Sequence, residues 1–188
     1  MCSSDLSTGI SIASASGLNL TPASVRATEA PSKLGQIFNF DAWLGLGGDP
    51  TGARARLQAA ILSANAPDRN ARRLDLAHYD FAIGSYAETL GVLEAIAADQ
   101  RDVAEEPELK ALRGAARLEM NDLAGAARDL MTPTLDGERD VAPWRGALAA
   151  AQQDWSGALR QFTRGDSVLS RYPADRKSTR LNSSHTDI

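Results

Sequence analysis

The chain has 188 residues and a formal net charge of −4, with 20 basic against 24 acidic side chains, and only 5% of its residues are aromatic. The acid excess and the lack of a basic stripe with interleaved aromatics argue against nucleic-acid binding, and no apolar run is long enough to span a bilayer. An alanine-rich, aromatic-poor chain of this length suits about one domain of closely packed helices.

The two ends do not read as protein. Residues 1–6 (MCSSDL) and residues 175–188 (opening DRKSTRLNSSH) back-translate into strings that begin as reverse complements of each other. They look like a sequencing adapter read in from either side, so the gene is expected to be cut at both ends, and these stretches are set apart from fold reasoning. With them goes Cys2, the only cysteine, so cysteine usage says nothing about the redox compartment. The Ser184, His185 and Asp187 group, a lure towards hydrolase chemistry, goes too. The charge stays at −4, because Asp5, Asp175 and Asp187 leave together with Arg176, Lys177 and Arg180. A missing leader peptide carries no meaning in a cut gene, so bacterial cytoplasm and envelope both stay open.

Over residues 7–21, Ile10 and Ile12, then Leu18 and Leu20, alternate with small polar residues across a Ser-Ala-Ser-Gly turn, which predicts a β-hairpin. Two strands alone are marginal, so this piece reads as the remnant of a truncated β-rich region. Residues 22–36, with Pro22 and Pro31 and no sustained period, read as a linker. The helical domain is expected over 37–174, in hairpins at about 37–66, 70–100, 107–131 and 139–172. Phe38, Phe40, Trp43 and Leu44 form an apolar cluster closed by Gly45, Gly47 and Gly48. That spacing predicts a short helix or turn before a second helix. Asp49 and Pro50 suit its N-cap and first position, and Ala53, Leu57, Ala60 and Ile61 carry it to about Ala64. The glycines invite a phosphate-loop reading, but no Lys-Ser or Lys-Thr follows and no strand precedes.

From Asn70 to Ala98, Leu74, Leu76, Ala77, Phe81 and Ile83 mark one helix and Tyr86, Leu90, Leu93 and Ile96 a second, broken at Gly84-Ser85. Arg101 to Glu108 is a charged insertion whose Pro107 suits the opening turn of the next helix. Leu112–Leu130 (LRGAARLEMNDLAGAARDL) then recurs 32 residues later as Trp144–Phe162 (WRGALAAAQQDWSGALRQF), identical at seven of 19 positions. This is a helical-hairpin period. Asp122 and Asp154 stand where second helices begin, as caps that complement unpaired backbone N–H groups. Thr132 to Gly137 is a loop, Pro143 restarts the helix, and the last helix runs from Ser156 to about Ser170.

At the turns these residues resemble the tetratricopeptide repeat. Ala77, Gly114 and Gly146 match the small position of the first helix, and Tyr86, Leu123 and Trp155 the large residue after the turn. Ala126 and Ala158 match the second small position, and Leu93, Leu130 and Phe162 the second large one. Thr89 departs at a small position, and Arg113 and Arg145 at one that is usually apolar. The native part is also similar to segments of large repeat proteins of alphaproteobacterial type, in which a β-rich region precedes the array. The resemblance implies an all-α, tetratricopeptide-like solenoid of helical hairpins in which Trp155 is buried, so that Trp155→Ala would cost about 3–5 kcal/mol.

For function it implies a non-enzymatic protein–protein interaction scaffold. Two alternatives are a structural spacer in a larger envelope-associated protein and an adaptor region of an enzyme whose catalytic domain is missing. No catalytic residue, cofactor or metal is expected. His78, the one histidine outside the adapter-like ends, has Asp75 and Asp80 nearby but no second His or Cys, so the solvated or groove-facing reading outweighs a metal site. Glu105, Glu106 and Glu108 read as a solvated charge run rather than paired catalytic carboxylates. The expected partner-binding face is that of the first helices, bearing His78, Phe81, Arg113, Arg117 and Arg145. Its recurring arginines would favour an acidic, extended protein or peptide. The competing reading of Arg113 and Arg145 is that each snorkels over apolar surface or pairs with a neighbouring acid. The Lys and Asn of the peptide carboxylate clamp are missing.

Overall fold

The computed structural model describes residues 36–172, and the expected β-hairpin, nearly all of the linker and both adapter-like ends lie outside them. The described residues form eight α-helices and no strand: α1 (Phe40–Gly45), α2 (Ala53–Ser63), α3 (Ala66–Ala82), α4 (Tyr86–Asp99), α5 (Pro107–Glu119), α6 (Leu123–Leu130), α7 (Ala142–Ala151) and α8 (Trp155–Leu169). Three 3-10 turns, Val103–Glu105, Pro133–Leu135 and Arg139–Val141, lie in the α4–α5 and α6–α7 connections.

Helices α3, α5 and α7 each end in the same way and turn into the next helix. Asp80, Arg117 and Ala149 give their carbonyls to the N–H of Ser85, Asp122 and Asp154, five residues on. The residue before each donor has positive φ: Gly84 at 87°, Asn121 at 62° and Gln153 at 64°. This is the Schellman closure, which satisfies the orphan carbonyls and reverses the chain within three residues. The side chains of Asp122 and Asp154 then accept from Gly125 N–H at 2.9 Å and Gly157 N–H at 2.8 Å, as the sequence predicts.

The α7–α8 pair runs antiparallel, with Pro143 early in α7 meeting Gly165 late in α8. A Cβ on Gly114 would stand 2.7 Å from Leu130 Cγ, one on Gly146 3.0 Å from the Phe162 ring, and one on Gly165 2.7 Å from Pro143 Cδ. The small residues are therefore needed for close approach within each pair. Thr89, the departure at a small position, is fully buried with its hydroxyl donating to Ser85 C=O at 2.9 Å.

Four expectations need correction. Asp49 and Pro50 do not start α2: Asp49 accepts Thr51 N–H in a turn, and Gly52, at φ 74°, precedes the helix. Helix α3 begins at Ala66, earlier than Asn70, with Pro67 in its first turn. Trp155 is not buried but 63% exposed. Its sequence equivalents Tyr86 and Leu123 are half-buried against the main apolar cluster. The expected hairpin over 37–66 also takes another form, since α1 and α2 both pack on α3 and belong to different apolar clusters.

Candidate functional site

The stretch leading into α1 organises the largest apolar cluster. Asn39 accepts Ala42 N–H at 3.2 Å and so caps a single short helix, which ends in the glycine-rich turn after Gly45. That geometry sends Ile37, Phe38, Phe40 and Trp43 inward, each under a tenth exposed, and leaves Leu44 at the surface. Phe38 lies 6.0 Å from the Phe81 ring on α3 and 5.2 Å from Trp144 on α7. Phe40 meets Phe81 at 6.1 Å and Tyr172 edge-on at 4.9 Å, while Trp43 stacks on His78 at 4.4 Å and 6°. The segment thereby joins α3 to α7 and the stretch after α8.

A polar contact with Asp140 anchors it. Ile37 N–H donates to Asp140 Oδ2 at 2.7 Å, across 103 residues of chain. Burial pushes the Asp140 carboxyl above its ordinary range, against the opposing pull of the Ile37 N–H and of Arg171 at 3.3 Å. Beside it, Trp144 Nε1–H donates to Tyr172 Oη at 3.0 Å, and burial raises that phenol as well.

The five residues expected to bind a partner divide into two groups. His78 and Phe81 lie under the docked segment, and Phe81 is fully buried. Glu108 Oε1 stands 3.2 Å from His78 Nε2, but the angle is wrong for a hydrogen bond, so that nitrogen is buried with none. The three arginines are committed within the chain. Arg113 grips Asp129 with two bonds at 2.9 and 2.6 Å, which raises its guanidinium further above neutrality, and Arg117 joins the same carboxylate at 2.7 Å. Arg145 is 7% exposed and donates to Leu130 C=O at 2.7 Å, Thr132 C=O at 3.2 Å and Asp136 at 3.0 Å. It thus satisfies carbonyls at the C-terminal end of α6, where a cation also complements the helix dipole.

Arg113 and Arg145 are repeat equivalents with different partners. The residue 32 positions after Asp129 is Gln161, which offers no carboxylate. The sequence flagged the Phe38, Phe40 and Trp43 cluster only as a helix start and did not single out Asp140 or Asp129. No local signal links Ile37 to Asp140.

Elsewhere, an open cleft of about 260 Å³ is lined by Arg54, Ile61, Arg73, Glu88 and Val92. Its arginines are paired, Arg54 with buried Asp80 at 2.7 Å and Arg73 with Asp99. Among the described residues no three His, Cys, Asp or Glu side chains converge as metal ligands, and no helix is long and apolar enough to cross a membrane. In comparisons with family models, curated proteins and solved structures, nothing matches this chain.

Proposed function

We propose that this chain is a non-enzymatic protein-binding scaffold built from tetratricopeptide-like hairpins, and that its first-helix face takes an extended aromatic protein segment. The observation that carries this reading is the docked stretch Ile37–Trp43: a piece of the chain itself fills a surface floored by His78, Phe81 and Trp144. It presents its backbone N–H to Asp140. The favoured ligand is aromatic rather than acidic, because Arg113, Arg117 and Arg145 are already engaged with Asp129, Asp136 and backbone carbonyls. Burying each large apolar side chain stabilises by about 1.5–3 kcal/mol, while ordering each backbone residue costs roughly 1–2 kcal/mol. The two terms are of similar size over the segment, which favours exchange with a free peptide. Tethering of the docked segment raises its local concentration to the order of millimolar, so a free competitor meets a largely filled site.

The test is a fluorescently labelled peptide of residues 36–46, titrated against the unmodified chain and against the Phe38→Ala/Phe40→Ala variant. Phe40→Ala alone replaces the pair if circular dichroism shows lost helicity. Saturable binding to the variant, about tenfold or more tighter than to the unmodified chain, is expected from relief of the internal competitor. A peptide ignored by a variant with intact helices would sink the binding reading. The structural-spacer reading, which the near-complete burial of Phe38 favours, would then stand ahead.

A further inference from the structure

The docked stretch changes conformation midway, and that change puts its aromatic rings on one side. Residues 37–39 precede α1 and are not helical, so Phe38 and Phe40, two residues apart, are both buried. A helix would set them about 200° apart around its axis. At Asn39 the chain turns into α1, the side chain accepting Ala42 N–H at 3.2 Å and the carbonyl accepting Trp43 N–H at 3.0 Å. Trp43 thereby returns to the side of Phe40, their rings 5.6 Å apart, whereas in a strand residues three apart face opposite ways. Neither a strand nor a helix alone serves positions 38, 40 and 43 together. Between the buried residues Asp41 and Ala42 are exposed, and Asn39 is half-buried.

Each inward group meets a different receptor. The Ile37 N–H reaches Asp140, Phe38 lies against Phe81 and Trp144, and Phe40 against Phe81 and Tyr172. Trp43 is set apart by His78, whose buried ring lies parallel to the indole at 4.4 Å and 6°, while the rings around Phe38 and Phe40 are tilted or edge-on. A flat imidazole face fits a flat ring and leaves gaps against a branched side chain. We propose, resting on the binding function proposed for this same site, that its ligand is a partner-protein segment of this composite shape. It carries an aliphatic residue, an aromatic, a capping residue, a second aromatic, two free positions and a tryptophan, and His78 selects the tryptophan. Asp, Ser or Thr would cap the turn as Asn39 does. The chain's own segment is tethered beside its own site, so a second copy has none to lend and the ligand comes from another protein.

The probes are labelled peptides of residues 36–46, unmodified or carrying Trp43→Leu, Asn39→Ala or, as a control at an exposed position, Asp41→Ala. Fluorescence anisotropy follows them against the chain with Phe38→Ala/Trp43→Ala, which loosens its own segment and vacates His78, and against the same chain with His78→Leu added. Trp43→Ala alone replaces the pair if circular dichroism shows lost helicity; residual competition then acts on every peptide alike. Binding is expected to weaken about tenfold or more for Trp43→Leu, the size of effect that interface tryptophans carry, and about threefold or more for Asn39→Ala, from loss of the cap. The control should bind as the unmodified peptide does. With His78→Leu the gap between the unmodified and Trp43→Leu peptides should shrink to about threefold or less, a coupling that a merely structural role of His78 would not produce. A Trp43→Leu or Asn39→Ala peptide that binds as well as the unmodified one, or a gap that His78→Leu leaves unchanged, would overturn the motif while the binding function stands. No binding by any peptide to a chain with intact helices would overturn both. A dimer of the unmodified chain in sedimentation equilibrium that Trp43→Ala abolishes would make a second copy the ligand and overturn the partner protein.

Discussion

Carboxylates in this protein have different fates that follow from where their hydrogen bonds come from. Asp129 is 4% exposed and balanced by two arginines, so its charge is buried with compensation. Asp154 sits at the surface, held below the ordinary range by the Gly157 N–H and the Ser156 hydroxyl. Asp140 is buried, and although the backbone N–H groups of Ile37 and Phe38 and a more distant arginine favour its charged form, desolvation wins, so its pKa lies above the ordinary 3.8. For a carboxyl raised in the folded state, the native form binds more protons between the unfolded and folded values. Stability therefore falls as pH rises through that window and levels off above it. Asp140→Asn removes this titration. Its stability relative to the unmodified chain should shift in the variant's favour as pH rises from the ordinary carboxylate range through the raised value, measured by urea unfolding at several pH values. A difference that stays constant, or moves the other way, would show that Asp140 is not raised.

At the scale of elements, the helical pairs are set by turns and small residues, and their outer surfaces by what lies next to them. Trp144 and Trp155 make this plain, since both lie in the 32-residue repeat yet differ in burial at 6% and 63%. Trp144 opens the first helix of its pair and packs against Phe38, Phe81 and Tyr172. Trp155 opens the second helix and faces outward. Trp144→Ala should cost about 3–5 kcal/mol, the usual range for a large aromatic removed from a core. Trp155→Ala should stay within about 0.5 kcal/mol, as for most surface substitutions. Denaturant midpoints of the two variants compare them directly, and equal losses would mean that α8 is covered.

Over the whole molecule, helices that touch only their neighbours in sequence would behave as a nearly one-dimensional stack, opening from its ends. The docked segment changes that by placing Phe38 between α3 and α7 and Ile37 on Asp140. A contact bridging 103 residues couples the two ends of the described fold. Phe38→Ala should therefore lower stability by about 3–5 kcal/mol and reduce hydrogen-exchange protection in the Arg139–Val141 turn and α7 along with α3. Loss of protection confined to α1 and α3 would show that the two ends unfold independently.

Features governed by residues a few positions apart were legible without coordinates. The break at Gly84, the caps Asp122 and Asp154, the role of Pro107 in opening α5 and the close approach at Gly114 and Gly146 are all local matters of backbone conformation, hydrogen bonding and side-chain size. The all-α character of the described residues followed from the same periodicities. Other features waited for the tertiary structure because their causes lie far away in sequence. Arg113 finds Asp129 while Arg145, its repeat equivalent, caps α6 instead, a difference set by which neighbour carries a carboxylate. Trp155 is exposed although its sequence equivalents Tyr86 and Leu123 are half-buried, because burial is set by what packs on a helix and not by the local pattern. The aromatic cluster at Phe38 announces that it will be buried, but only the chain's path through space brings Phe81, Trp144 and Asp140 together to receive it.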